Sequence, residues 1–382
     1  MAEWLVKHRL REDDSLITTL RPEHLSFTLN TDAPHELSYE VSLSSPAVFH
    51  DFVGPKRTTF ELWRDDLQIM GGIHTNHAVS TSDQFCHVTG KDWMVDLTWR
   101  HFPFDPRDGH WYDYAIGSPT TAGIAYQAAA TDVAEIIKNL LDVTYGRPNS
   151  LDLTYPTLIT NLGIPVNFSL SIGDATSMYE IINGLSENYP GFHFEVLTTK
   201  ELRLYSPHKY DIAVADDSSL ANHIYTDAAS GLEDVDFENT GPQGTHIFGQ
   251  GAGLSGNRVG IALGTPALNE AVYGRIDMVE DFGDIPSAAL VESRTRGAFN
   301  FGLQPVHEIS ITVNPMAIGP SFWTLQRPGE AIWLDVDLIS HRIQSAQEIV
   351  SMDVTVDEEG NESCTMKLNQ IYADNNPGVY EG

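Results

Sequence analysis

The sequence predicts an α+β, β-rich fold in which two β regions flank an α/β layer, with a helix-bearing insertion in the C-terminal half. Three observations lead there. Residues 1–104 carry short runs of alternating polarity separated by turn residues. Residues 105–208 carry two amphipathic helical patterns and a hairpin. After Pro207 the alternation of strands resumes and continues almost to the C-terminus.

In the first region, Leu25 to Leu29 and Leu37 to Val41 alternate as half-buried strands do. Thr59 to Trp63 is a further strand, and Arg64-Asp65-Asp66 turns it into Leu67 to Ile69. Gly71-Gly72 permits a bend or bulge before Ile73 to Val79 continues extended. Phe85 to Val88 is another strand, and Trp93 to Trp99 fits a short helix or a strand equally. Strands spaced this regularly point to a small barrel or sandwich.

In the middle region, Val133, Ile136, Ile137, Leu140 and Leu141 mark one apolar helix face, with Thr131 or Asp132 as its cap. Met178, Ile181, Ile182 and Leu185 mark a second, capped by Asp174 or Ser177. Ser177 with Glu180 has capping-box spacing, where each side chain takes an orphan backbone N–H. Pro190-Gly191 stops this helix, and Phe192, Phe194 and Val196 begin a hairpin that returns through Leu202 and Leu204.

In the last region, strands are expected at Tyr210 to Ala215, Thr245 to Phe248, Arg258 to Leu263, Glu308 to Val313 and Ala331 to Val336. A helix is expected over Ser287 to Phe301. Arg342 to Thr355 and Glu362 to Ile371 form a long hairpin around the acidic tip Asp357 to Asn361. The resulting division is a β-barrel at 1–104, an α/β domain at 105–208, a second β-barrel at 209–372 with its insertion at about 265–303, and a flexible tail at 373–382.

Composition narrows the function. The 382 residues include 53 Asp plus Glu against 22 Lys plus Arg, a formal charge of −31. Gripping nucleic acid requires basic groups, so this balance disfavours it, while an acidic wall lets phosphate pass without sticking. Cys86 and Cys364 are the two cysteines, which excludes a disulfide framework and a Cys-rich zinc site. The N-terminal apolar run, Trp4 to Val6, is too short for a signal-peptide core. No apolar stretch reaches the roughly 18–20 residues of a membrane span. The expectation is a protein assembled in a cytoplasm.

Three patterns could carry chemistry. Gly251 to Gly256 spells GxGxxG, yet Asn257 to Ala262 after it reads as a strand, whereas dinucleotide binding needs a helix N-terminus there. A glycine-rich hairpin turn is the better reading. His74, His77, Cys86 and His87 supply four metal-ligand types. On a strand, however, positions i and i+3 face opposite ways, so these read as polar rim residues. The loop from His101 to Tyr114 concentrates His, Asp and aromatics. Asp105, Asp108 and His110 there suit acid–base work, and Trp111 and Tyr112 suit sugar stacking. The plainer reading is an ordered connection whose aromatics plug the space between domains. No nucleophile elbow, zincin, P-loop or calcium-loop pattern occurs. No catalytic residue, cofactor or metal is assigned, and the chain is read as a non-enzyme.

The order of parts resembles the tail-tip hub proteins of long-tailed bacteriophages, also called baseplate hubs or minor tail proteins. Four pieces carry the resemblance: the strand ladder Thr59 to Gly90, the helix–hairpin Asp174 to Tyr205, the segment His246 to Gly251, and the turn Gln326 to Glu330 leading into Ala331 to Val336. It covers about residues 20–372. The resemblance implies two tube-type β-barrel domains flanking the α/β domain. It implies a homotrimeric ring that continues and closes the tail tube and opens for DNA passage. It implies partners in the distal tail protein, the tape-measure protein and tail fibre or tip proteins, with viral DNA crossing the lumen without sequence-specific contact. The location would be the virion tail tip. Two alternatives stay open on the 101–114 loop: a glycan- or receptor-binding tail module, and a tail-associated cell-wall hydrolase.

Overall fold

The computed structural model describes residues 2–45, 55–80, 82, 84–102, 104–105, 110–111, 124–145, 153–155, 162–171, 176–186, 192–205, 209–210, 212–215, 217–227, 231–252, 258–264, 274–282, 288–303, 305–338 and 341–371. The first strands are β1 (Trp4–Leu10), β2 (Leu16–Leu20), β3 (Leu25–Asn30), β4 (Glu36–Ser42), β5 (Thr58–Arg64), β6 (Leu67–Ser80) and β7 (Phe85–Asp92). Their alternation is the expected one: Leu25, Phe27 and Leu29 of β3 are buried, and Leu37, Tyr39 and Val41 of β4 likewise. β6 runs on through the Gly71-Gly72 pair with register irregularities on both sides of it, opposite Leu62/Trp63 and between His74 and Asn76, and a Cβ on Gly72 would sit 2.1 Å from the Lys91 carbonyl of β7. The glycine serves close strand approach.

The middle of the chain contains α1 (Val95–Trp99), β8 (His101–Phe102), β9 (Phe104–Asp105), β10 (His110–Trp111), β11 (Ile124–Asp132), α2 (Val133–Tyr145), β12 (Pro165–Ser171), β13 (Thr176–Ser177), α3 (Met178–Ser186), β14 (His193–Val196) and β15 (Leu202–Tyr205). The capping box at α3 is formed. Glu180 accepts the Ser177 N–H at 2.8 Å, and Ser177 Oγ accepts the Glu180 N–H at 3.1 Å. Asp132 caps α2 by accepting the Ala134 N–H at 2.9 Å. The predicted apolar faces of α2 and α3 pack with α1, β12 and the β14–β15 hairpin in one core that includes Ile137, Leu140, Ile182 and Phe194. These elements form a lobe.

The rest contains β16 (Ile224–Thr226), β17 (Leu232–Pro242), β18 (His246–Gln250), β19 (Gly260–Gly264), β20 (Asp277–Asp281), α4 (Ala288–Leu303), β21 (Pro305–Val313), α5 (Pro315–Ile318), α6 (Phe322–Leu325), β22 (Ala331–Leu338), β23 (His341–Val356) and β24 (Glu362–Gln370). Tyr210 to Ala215 is not the expected strand. Ile212–Ala215 is a 3₁₀ turn, with Val214 packed against Ala331, Ala346 and Ile371. The tail at 373–382 lies outside the described residues.

The N-terminal and C-terminal strands belong to one 13-stranded sheet, in the order β17-β21-β24-β23-β3-β4-β7-β6-β5-β1-β2, with β22 and β16 branching from β23. The join is β3 against β23, antiparallel from Leu25↔Val356 to Asn30↔Ser351. One hydrophobic core underlies both regions and includes Trp4, Phe27, Trp323, Ile311 and Met366. Trp4 packs on Phe27 and on Trp323, each at 5.5 Å between centroids. Beside them Glu362 of β24, whose side chain is fully buried, accepts from Arg64 of β5 at 2.6 Å and from Trp4 Nε1 at 3.0 Å. The pair spans 298 residues of sequence.

Removing one partner of a buried pair strands the other charge without water. Glu362→Leu is therefore expected to lower unfolding stability by about 3 kcal/mol, read from urea denaturation. A surface control such as Glu135→Gln should shift it by about 0.5 kcal/mol or less.

Candidate functional site

A β-strand shows alternate side chains to alternate faces, so a large sheet with one buried face must display a continuous second face. Register fixes what lies on it. Asp234, Thr312, Thr365, Asp353, Thr28, Glu36 and Lys91 pair in succession across β17, β21, β24, β23, β3, β4 and β7. One step along the strands, Ser363, Thr355, Ser26, Ser38, Thr89 and Asn76 form a second row from β24 to β6. All of these residues are exposed or half-buried. Neighbours in the rows bond one another: Thr28 donates to Asp353 at 2.7 Å, Lys91 pairs with Glu36 at 2.7 Å, and the Thr312 and Thr365 hydroxyls lie 3.2 Å apart. The face is grooved, with hollows of about 550 and 450 Å³ along the two rows.

The chemistry of this face is hydroxyl and carboxylate, with few bulky apolar groups. Such a surface offers phosphate little to bind and repels it where carboxylates dominate. The main path of the sheet ends in β2 on one side and β17 on the other. β17 exposes Glu233, Asp234, Asp236 and Glu238, whereas β2 is the uncharged sequence LITTL with Leu16 exposed.

A second functional feature ties the lobe to the sheet. Asp32, in the β3–β4 turn at φ 53°, accepts the Phe194 N–H at 2.7 Å and pairs with His193 Nδ1 at 2.6 Å. Tyr179 of α3 donates to the Asp32 carbonyl at 3.1 Å. The other nitrogen of His193 lies 3.4 Å from Glu348 of β23. Burial opposes the charge on His193, but the Asp32 hydrogen bond and the Glu348 charge outweigh it, so its pKa is raised. Lys209 adds a clamp, pairing with Glu195 at 2.5 Å and donating to the Pro328 carbonyl at 3.0 Å.

The residues singled out by sequence fall as follows. β9 and β10 pair Asp105 opposite His110 and Phe104 opposite Trp111. Asp108 and Tyr112, with most of the 101–114 loop, lie outside the described residues. Gly251 opens a connection between β18 and β19, which pair antiparallel, so the strand expected after the glycines is present at Gly260–Gly264, while residues 253–257 lie outside the described residues. His74 and Cys86 are not rim residues; both are buried in the interior. A β-bulge between His74 and Asn76 shifts the strand's facing, and brings the His74 and His77 rings to 5.5 Å. His74 is held by Thr58 at 2.9 Å and the Asn76 carbonyl at 2.9 Å. Cys86 packs into the main core, while His87, on the other face, pairs with Glu40 at 2.9 Å. Both cysteines are free and buried. Among the described residues no three His, Cys, Asp or Glu side chains gather to hold a metal ion, and no helix is long and apolar enough to cross a membrane.

Sequence reading missed β1, β17 and the buried His8. The signal for His8 was its place at i+2 and i+4 from Val6 and Trp4 on one strand face. His8 bonds the Tyr39 hydroxyl and stacks edge-on to His74 at 5.8 Å.

Three crystal structures share this fold along nearly their whole length. A 43 kDa tail protein of prophage MuSo2 from Shewanella oneidensis matches with a TM-score of 0.65 at 12% identity, covering 97% of this chain and 98% of that one. A tail protein from Neisseria meningitidis MC58 matches at 0.61 and 12% identity, over 97% and 98%. The prophage tail protein gp18 from Listeria monocytogenes EGD-e matches at 0.55 and 11% identity, over 97% and 95%. No family model matches the sequence, and no curated protein matches it. The chain therefore shares the fold of these phage tail proteins at 11–12% sequence identity.

The buried histidines give the fold a pH dependence of known sign. Burial pulls His8 to about 3 and His74 to about 4, from 6.5. Both are neutral when folded, and the unfolded chain binds more protons as pH falls below 6.5. Their contribution is lost on acidification from 6.5 toward 3. His193, with its raised pKa, contributes below 6.5 and loses its share as pH rises through its folded value. Urea midpoints should fall from pH 7 to pH 4.5. In His8→Gln the decline should be shallower by up to about 1.4 kcal/mol per pH unit.

Proposed function

We propose that this chain is a structural tail-tip protein of a long-tailed phage, a baseplate hub whose copies close into a homotrimeric ring around the path of the DNA. Within each copy the two β regions serve as tube-type barrel domains and the α/β lobe braces them. The ring continues and closes the tail tube and opens for genome passage. Its neighbours are the distal tail protein, the tape-measure protein and tail fibre or tip proteins. It is assembled in the host cytoplasm, resides in the virion and performs no catalysis.

The observation that carries this reading is the large sheet itself, whose path among the described residues ends in β2 and β17 and which is lined on one face by hydroxyls and carboxylates. An open edge presents unpaired backbone N–H and C=O groups to another chain. Two β17 edges cannot pair with each other without stacking like charges from Asp234, Asp236 and Glu238. The uncharged β2 edge is the compatible partner, so the contact is head-to-tail, the geometry that generates rings. Three copies carry about three times −31. A lumen walled by the two rows repels phosphate, which lets DNA slide. The tail proteins that share the fold along their whole length support the same role.

Light scattering on the purified chain should give a trimer mass that dissociates on dilution. Thr19→Asp on β2 puts a carboxylate opposite β17 and should weaken association about tenfold, and Asp236→Lys should restore it. A monomer at every concentration, or a Thr19→Asp variant that assembles like the parent, would contradict the edge contact.

A further inference from the structure

A cavity of about 240 Å³ lies where three parts of the chain meet: β3, β6 and β7 of the sheet, the β14–β15 turn of the lobe, and the turn from Arg327 to Glu330 before β22. Its walls hold an unusual charge arrangement. Arg327 donates to the Ile69 carbonyl at 3.2 Å and forms no ion pair among the described residues. Burial pulls its pKa down to about 10, so it is still a cation at neutral pH. A guanidinium has five N–H donors and prefers a planar oxyanion partner.

The carboxylates around it are already hydrogen-bonded elsewhere or have their pKa raised by burial. Glu195 is engaged by the Tyr205 hydroxyl and by Lys209 at 2.5 Å, which also offsets its charge. Glu330 accepts from Asn222 at 2.8 Å, and burial raises its pKa. Asp92 is buried, and burial raises its pKa well above the usual carboxylate range. Its Oδ1 accepts the Met94 N–H at 3.2 Å, while its Oδ2 has no hydrogen-bond partner. His35 is neutral, held to about 3 by burial, with Nδ1 accepting from the Asn30 N–H at 3.0 Å. Gln68 contributes an amide to the same wall. Among the described residues Arg327 thus has one carbonyl as its hydrogen-bond partner, and Glu195, the carboxylate whose charge it feels, is already shared with Lys209 and Tyr205. Arg327 is half-buried, and a guanidinium with a single carbonyl partner can take a complementary oxyanion on its remaining N–H groups.

We propose that this cavity binds a small oxyanion, a carboxylate or an inorganic phosphate, on the Arg327 guanidinium, with the Gln68 amide completing the shell. The site is independent of the ring: it lies within one chain, and the oxyanion pins the lobe, the sheet and the 327–330 turn together. The ligand arrives either free in solution or as an acidic side chain of a partner protein.

The test is isothermal titration of the full chain with inorganic phosphate, acetate and N-acetylglutamate methylamide, each at constant ionic strength with chloride as reference. Saturable one-to-one binding of phosphate or acetate supports a free anion. Binding of the glutamate mimic alone supports the site and assigns its ligand to a partner's side chain. Arg327→Gln should weaken binding at least about tenfold, and Arg342→Gln on the sheet surface should retain it. A readout that needs no variant is phenylglyoxal labelling of Arg327 in the parent chain, mapped by mass spectrometry. Saturating anion should protect Arg327 and leave Arg342 on the sheet surface unprotected. No saturable binding of any of the three, no protection, or equal binding by a folded Arg327→Gln would overturn the proposal.

Discussion

Everything in this molecule depends on the pairing of β3 with β23. It joins residues 25–30 to residues 351–356 in one antiparallel ladder. Without it the N-terminal and C-terminal strands would each expose an edge and half a core. With it, Trp4 and Phe27 from the start of the chain bury against Trp323 near its end. The Arg64–Glu362 pair locks the same seam from inside, where a mismatched register would leave a bare charge. The hydrophobic contacts supply the driving force, and the buried ion pair sets which strands may share it. Because the joined segments lie so far apart in sequence, folding is non-local, and the seam closes only once both ends of the chain exist.

The functional surface follows from that seam. A sheet that buries one face in a shared core must align the residues of its other face into rows that cross the whole width. Those rows are made of Ser, Thr, Asp, Asn, Glu and one Lys. The lobe is tied to the sheet through the turn residue Asp32, whose carboxylate takes both the Phe194 N–H and the His193 ring, and through the Lys209 clamp. His193 in turn reaches Glu348 on β23, the strand that forms the seam. The lobe is therefore referenced to the same strand that unites the sheet. A wall built this way is suited to being repeated around an axis.

Much of the local structure was legible in the sequence, because its causes are local. The Ser177–Glu180 capping box, the apolar stripes of α2 and α3, and the β23–β24 hairpin around Asp357 to Asn361 all arise from neighbours within a few residues. What escaped had distant causes. β17 reads as an acidic loop because its carboxylates face solvent while Val235 and Phe237 lean on the core. β1 has one short apolar run, and His8 is buried by Tyr39 and His74 from other strands. The facing of His74 and His77 was misjudged because a bulge, invisible in composition, adds a residue between them. The charged cavity around Arg327 has no sequence signature, since its walls come from residues 30 to 330. The Gly329 turn beside it was recognisable, and its φ of 81° shows why glycine stands there.

The central claim is a ring whose lumen is walled by the two polar rows. Electron microscopy of intact tails tests it most directly. The account predicts three copies at the tail tip, related by a three-fold axis, with Thr28, Asp353 and Ser38 facing the channel and β2 of one copy beside β17 of the next. A single copy per tail, or a ring with those residues turned outward and the buried edges exposed to solvent, would contradict it.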